Sequence, residues 1–198
     1  MKFLSILTVA LSAMSLVAAS PTPEPATRVV VVKVSSSSGS SGSSSYSSAN
    51  YGSSFKNAAV NLHNKARKAT GAKNMNMLKW SDYRASIACK CTRKWANTKG
   101  ISDCAPGQNS WKSSNNKLSD VNAITGAISS FVDQKKYFRA PMTYRKGQYL
   151  KKPDICHYTQ LVWATTREIG CCVTRGSQGT AVTCQYHPAG NVVNQRVY

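Results

Sequence analysis

Apolar residues recur at three- and four-residue spacing over Phe55, Ala58, Ala59, Leu62, Ala66 and Ala69, the period of a helix with one buried face. Ser54 is the expected cap of this helix and Gly71 its expected stop. A second helix is predicted from a cap at Ser81, with Ile87, Ala88, Cys91 and Trp95 along one side. A third starts near Ser119 and presents Val121, Ile124, Ile128, Phe131 and Val132 as a stripe. The pattern then changes. Residues 169–174 and 180–186 read as two strands joined through Arg175-Gly176-Ser177-Gln178-Gly179. Helices followed by a hairpin indicate an α+β or layered domain on an antiparallel sheet, not a βαβ repeat.

Upstream of these elements the composition is different. Lys2, an apolar stretch over 3–17 and the small residues Ala18, Ala19 and Ser20 have the layout of a secretory signal peptide, residues 1–19, cut after Ala19. The apolar stretch is shorter than the roughly 20 residues a spanning helix needs. Residues 20–54 are expected to be a disordered linker, first Pro- and Val-rich and then Ser/Gly-rich. Within it, Val29 to Val32 form an edge strand or an unpaired run, and residues 35–54 hold 13 serines and three glycines. So little apolar surface does not offset the entropy of ordering. The linker suits O-glycosylation, and no Asn-x-Ser/Thr sequon occurs in the chain. The folded domain is expected over 55–198, long enough for one core.

A secreted context makes disulfides the default for the seven cysteines, Cys89, Cys91, Cys104, Cys156, Cys171, Cys172 and Cys184. The number is odd, so one thiol is left over, and spacing alone does not select the connectivity. Neither Cys89-Lys90-Cys91 nor Cys171-Cys172 has a second pair at zinc-finger spacing. The formal charge of +19 is extreme, and the leader accounts only for Lys2. In an exported protein such an excess points to acidic polysaccharide, anionic lipid or a charged cell surface, and not to nucleic acid. A solvated basic surface that aids solubility is the competing explanation.

Four segments share a resemblance. Leu62-His63-Asn64-Lys65-Ala66-Arg67, Gly107-Gln108-Asn109, His157-Tyr158-Thr159-Gln160-Leu161-Val162-Trp163 and the run from Cys184 to Asn191 occur in this order. They resemble the HNxxR, GEN, HYTQxVW and CNYxPxGN motifs of the CAP superfamily, the pathogenesis-related-1-like (SCP/TAPS) proteins. The resemblance implies a three-layer α-β-α sandwich with a central antiparallel sheet and a cleft lined by two histidines and two glutamates. His63 and His157 match the histidines. The acids are replaced: Gln108 stands where GEN has Glu, and Gln134, three residues after Phe131, stands at the second. Asp133 is rotated by about 100° from that direction on a helix.

An amide neither accepts a proton nor supplies a charged oxygen, so the cleft of His63, Gln108, Gln134 and His157 lacks a carboxylate base. No catalytic residue and no cofactor are expected. For zinc only His63 and His157 remain as candidate ligands, fewer than a stable site uses. On this view both are hydrogen-bonded histidines held by Gln108 and Gln134. Ser113 and Ser114 have no acid placed to orient a histidine, which sets a Ser-His hydrolase aside, and a metal-dependent hydrolase is a separate, remote alternative. The resemblance also implies a Cys171–Cys184 bridge.

Two functions follow from what remains. The segment 137–155 interleaves the aromatics Tyr137, Phe138, Tyr144 and Tyr149 with cations that include Arg139, Arg145, Lys146, Lys151 and Lys152, preceded by Lys135 and Lys136. Fungal members of the family are implicated in sterol and lipid binding through the corresponding loop, so sterol or anionic lipid is the expected partner, with acidic cell-wall polysaccharide beside it. The Ser-rich segment and basic charge look fungal, which makes a secreted effector or virulence-related protein the expected setting. The alternative is a precursor. Residues 188–198, from Pro188 to the terminal Tyr198, resemble signalling peptides released from plant members, with cleavage by a host extracellular protease between His187 and Pro188.

Overall fold

A computed structural model describes residues 51–99, 106–147 and 154–198. The leader, the Val29 to Val32 run, most of the serine-rich segment, Cys104, Tyr149, Lys151 and Lys152 lie outside the described residues.

Helix α1 (Ser53–Lys68) buries Phe55, Ala59, His63 and Arg67, one residue per turn on a single stripe. Ser54 is not its cap: it lies inside the first turn, and Gly52 precedes the helix with no side-chain cap. Tyr51 ties this end down instead. Its ring stacks on Phe55 at 4.1 Å, and its hydroxyl accepts from the Val173 N–H at 2.6 Å and donates to the Val173 carbonyl at 3.1 Å. The expected linker therefore ends too late, because residues 51–54 already belong to the packed part.

After α1 come β1 (Lys79–Trp80), α2 (Asp82–Trp95), β2 (Gln108–Ser113) and α3 (Asp120–Asp133), which runs into a 3₁₀ turn over Gln134–Tyr137. A short α4 (Cys156–Leu161) and the hairpin β3 (Glu168–Gly176) and β4 (Gly179–His187) complete the order. Ser81 caps α2 as expected, and Ser119, near which α3 is predicted to start, caps that helix, the two accepting from the Arg84 and Asn122 N–H groups. Along α3 the buried residues are Ala123, Ile124, Ala127, Ile128 and Phe131, while Val121 is exposed.

The strand order is β1-β3-β4-β2. The sheet is mixed, because β1 lies parallel to β3 while β3/β4 and β2/β4 are antiparallel. Sequence periodicity finds only the hairpin. Two residues of β1 carry no period, and β2, Gln-Asn-Ser-Trp-Lys-Ser, has one large apolar side chain. The hairpin turn tightens to Ser177-Gln178, since Gly176 and Gly179 are already paired.

Alternation along the hairpin divides the core. Ile169, Cys171, Val173, Val182, Cys184 and Tyr186 pack with α1, α3 and α4 in the main cluster. Cys172 and Ala181 face α2, against Ala88 and Cys89, and Cys91, Trp95 and Ala96 respectively. Gly170 permits the close approach of α2: a Cβ there would lie 2.0 Å from the Ala85 nitrogen. Adjacent cysteines thus serve opposite faces. Cys171 bonds Cys184 across the hairpin, as the resemblance implies, and Cys172 bonds Cys89 to fasten α2. Cys156 is a free thiol beside the Tyr144 hydroxyl at 3.3 Å, and burial pushes it up to about 11.

Arg67 joins the layers. Its side chain is fully buried and donates to five backbone carbonyls, those of Asn76, Leu161, Trp163, Ala164 and Thr166, at 2.8 to 3.4 Å. Desolvation lowers its pKa to about 10, which leaves it charged at neutral pH. Arg67→Met is expected to cost about 3 kcal/mol or more, because the Asn76, Leu161 and Thr166 carbonyls lose their donor and those of Trp163 and Ala164 keep only the Thr166 and Asn76 amides. Arg67→Lys should recover only part of this, since a single ammonium cannot span the fan of carbonyls. Urea unfolding of both variants checks this; losses below about 1 kcal/mol would show that water replaces the guanidinium without penalty.

Candidate functional site

Helix α1 sets His63 one turn before Arg67, fully buried under the sheet. Its Nδ1 lies 2.7 Å from the Ala59 carbonyl, which only accepts, so Nδ1 carries the proton. Nε2 is then the acceptor for the Tyr186 hydroxyl at 2.7 Å. Burial lowers the His63 pKa to about 4 and pushes the Tyr186 phenol upward, so both groups are neutral. Asn109 closes the chain. Its Nδ2 donates to the Tyr186 oxygen at 3.1 Å and to the His157 carbonyl at 2.8 Å.

His157 stands in the first turn of α4, and Gln134 reaches it from the end of α3. The Gln134 Oε1 accepts from the His157 N–H at 3.0 Å and the Tyr158 N–H at 3.2 Å, while its Nε2 lies 2.8 Å from His157 Nδ1. Phe131, one turn earlier on α3, stacks on the imidazole at 5.1 Å between centroids. The pairing of Gln134 with His157 is therefore as expected. Asp133 is exposed and takes no part in the hydrogen bonds of this contact.

The other two expected members sit differently. His63 is held by Ala59 and Tyr186, not by Gln108, and it connects to His157 through Tyr186 and Asn109. Gln108 pairs with Gln185 across β2 and β4, on the sheet face opposite Asn109 and Tyr186. Both polar atoms of its amide are buried without a hydrogen-bond partner among the described residues, so it holds neither histidine. Tyr186 and Asn109, which do the connecting, were not singled out from the sequence although both lie in the quoted motifs. Among the aromatics of the expected binding loop, Phe138 and Tyr144 are core residues, 7% and 5% exposed, whereas Tyr137 is 48% exposed.

Among the described residues no group of three His, Cys, Asp or Glu is placed to hold a metal ion. His63 uses both ring nitrogens internally, and His157 Nδ1 faces an amide NH₂, so the residues present do not fit a zinc site.

The His63 environment predicts a pH dependence of stability. Below pH 6.5 the unfolded ring takes up a proton that the folded ring refuses until about pH 4. The unfolded state therefore binds more protons in that window, and the contribution is complete above pH 6.5 and lost as pH falls toward 4. Its size is at most about 3 kcal/mol. Urea unfolding of the parent and His63→Gln at pH 7, 5.5 and 4 should show their stability difference shrinking with acid; a constant difference would contradict the buried neutral ring.

The comparisons with known proteins agree with this architecture. The chain is 32% identical over 136 residues to venom allergen 5 of Vespa velutina, covering 64% of each chain. To cysteine-rich secretory protein 2 of Homo sapiens it is 35% identical over 152 residues, 69% of this chain and 57% of that protein. It thus spans less than two thirds of the length of these relatives. The fold superposes on the zinc-bound form of NaASP2 with a TM-score of 0.67 at 21% identity, over 74% of this chain and 86% of that one. For Na-ASP-1 the values are 0.68 and 23%, over 77% and 43%. The cysteine-rich secretory protein family, CAP, matches residues 60–186, and the chain belongs to it.

Proposed function

We propose that this is a secreted, non-enzymatic CAP protein that binds an anionic lipid surface. The carrying observation is one basic ribbon. Residues 142–144 run against the tail at 194–197, with the Tyr144 N–H donating to the Gln195 carbonyl, the Asn194 N–H to the Tyr144 carbonyl and the Val197 N–H to the Met142 carbonyl, at 2.8 to 3.0 Å. The 3₁₀ turn adjoins it, since Phe138 contacts the Tyr198 ring at 5.4 Å. Lys135, Lys136, Arg139, Arg145, Lys146 and Arg196 are exposed along this ribbon. The ion pairs among the described residues, Lys56–Asp82, Arg84–Glu168 and Arg175–Asp120, use none of them.

Tyr137, Val192 and Val193 are exposed on the same ribbon. They supply the apolar contact expected of Phe138 and Tyr144, which are occupied in the core. Each cation near an anionic membrane contributes about 1 kcal/mol, screened over about 8 Å at physiological salt. A non-enzymatic role is supported by Gln134, which meets His157 Nδ1 with an amide that cannot serve as a base. Extracellular location is supported by the secretory leader and the secretory and venom relatives. No helix among the described residues is long and apolar enough to cross a membrane. Action as a fungal effector at a host surface is the setting that the serine-rich segment and basic charge support.

Cosedimentation with phosphatidylserine vesicles, with and without sterol, and with acidic polysaccharide tests this. Binding to anionic vesicles should drop at least about tenfold in Lys135→Glu/Lys136→Glu and fall with salt. Equal binding to neutral sterol vesicles would replace the headgroup reading with a sterol one, and binding to polysaccharide alone would reject lipid.

The precursor reading keeps one favourable observation: His187 and Pro188 are both exposed. The released segment, however, is anchored. Val197 is fully buried, the Gly190 N–H donates to Gln160 Oε1 at 2.9 Å, and the Thr166 hydroxyl donates to the Pro188 carbonyl at 2.9 Å. Mass spectrometry after incubation with host extracellular fluid should show an intact C-terminus at native temperature; a free 188–198 peptide would favour the precursor.

A further inference from the structure

The Gln134 amide is oriented without ambiguity. Its oxygen accepts two backbone N–H groups at the start of α4, those of His157 and Tyr158. Reversing the amide would set NH₂ against both donors, so the group 2.8 Å from His157 Nδ1 is the nitrogen. An amide NH₂ only donates. Nδ1 must therefore offer its lone pair, and in the neutral ring the proton sits on Nε2.

We propose that Gln134 is a positioning residue that fixes His157 in the Nε2–H form and thereby closes the ring to divalent cations. A metal needs an imidazole nitrogen with a free lone pair, and its ligating histidine usually donates the other N–H to a carboxylate or carbonyl. Here the arrangement is inverted. Nδ1 spends its lone pair on the amide, and Nε2 holds the proton. Moving that proton to Nδ1 would oppose it to the Gln134 NH₂, and turning the amide would oppose it to the backbone. Rotation of the ring is resisted by the Phe131 stack, 21° from parallel. Glutamate at position 134 would reverse all of this: one oxygen can keep both backbone N–H groups while the other accepts from Nδ1–H, which moves the lone pair to Nε2. The choice between donor and ligand rests on one side-chain atom.

The test uses the full-length chain labelled with ¹⁵N. Long-range ¹H–¹⁵N correlation above pH 7, with His157 assigned by its loss in His157→Gln, should show a protonated Nε2 and an unprotonated Nδ1. Zinc titration should leave these His157 signals in place. In Gln134→Glu the two nitrogens should exchange character, and zinc affinity at His157 should rise by about tenfold or more. A wild-type His157 protonated at Nδ1, or a wild-type ring whose Nε2 signal shifts to a metal-bound position with zinc, overturns the proposal. So does a folded Gln134→Glu protein with an unchanged tautomer. The wild-type spectrum decides the tautomer by itself if the variant does not fold.

Discussion

A buried guanidinium with no carboxylate beside it governs the arrangement of this domain. The Arg67 carbonyl partners at 161, 163, 164 and 166 lie at the last residue of α4 and in the chain between α4 and β3, where no regular ladder continues and only the Thr166 and Asn76 amides also reach the Trp163 and Ala164 carbonyls. Five donors in a planar fork suit such a fan of acceptors, and a charged donor makes each bond stronger than a neutral one would. The geometry of that return follows. It fixes where α4 ends, hence where His157 sits, and it fixes where β3 enters the sheet. The Asn76 carbonyl adds the segment before β1 to the same centre.

The cysteines show a second constraint of the same kind. Because neighbouring side chains on a strand point to opposite faces, Cys171 and Cys172 cannot both serve one layer. One bridge therefore closes the hairpin beneath α1 and α3, and the other ties α2 to the far side. The pairing of Cys172 was not available from spacing. It depends on the register of β3 and on the passage of α2 over Gly170, which are three-dimensional facts. The three long helices were legible because their apolar stripes are strong, whereas β1 and β2 take their pairing from β3 and β4 and not from their own pattern.

The candidate site was legible as a set of motifs but not as a set of contacts. Gln134 and His157 meet as expected. His63 does not join them, because its stripe on α1 turns it into the core, where Tyr186 answers it. Gln108 and Asn109 are adjacent in one motif, yet the pleat separates them, and it is Asn109 that reaches α4. Likewise, aromatic residues interleaved with cations suggested one insertion surface. Phe138 and Tyr144 instead contact Tyr158 and Trp163 in the core, because the loop is folded back by its ribbon with the tail. A local pattern of residue types does not say which side of a loop each will occupy.

These placements divide the chemistry between interior and exterior. A chain of charge +19 carries a cleft network of His63, Tyr186, Asn109, Gln134 and His157 whose hydrogen bonds described above can all be made by uncharged groups. His63 stays neutral because burial opposes its protonation, and the amide at Gln134 introduces no carboxylate that would favour an imidazolium beside it. With like charge crowding the surface and the Arg67 guanidinium already buried, a neutral cleft network adds nothing further to self-repulsion. The cations of the ribbon at 135–146 and of the tail stay exposed and outside the ion pairs among the described residues, where their fields reach an external anionic partner. Recognition in this molecule is therefore expected at its surface, with the neutral network serving to hold α1, α4 and the sheet edge in the geometry that presents it.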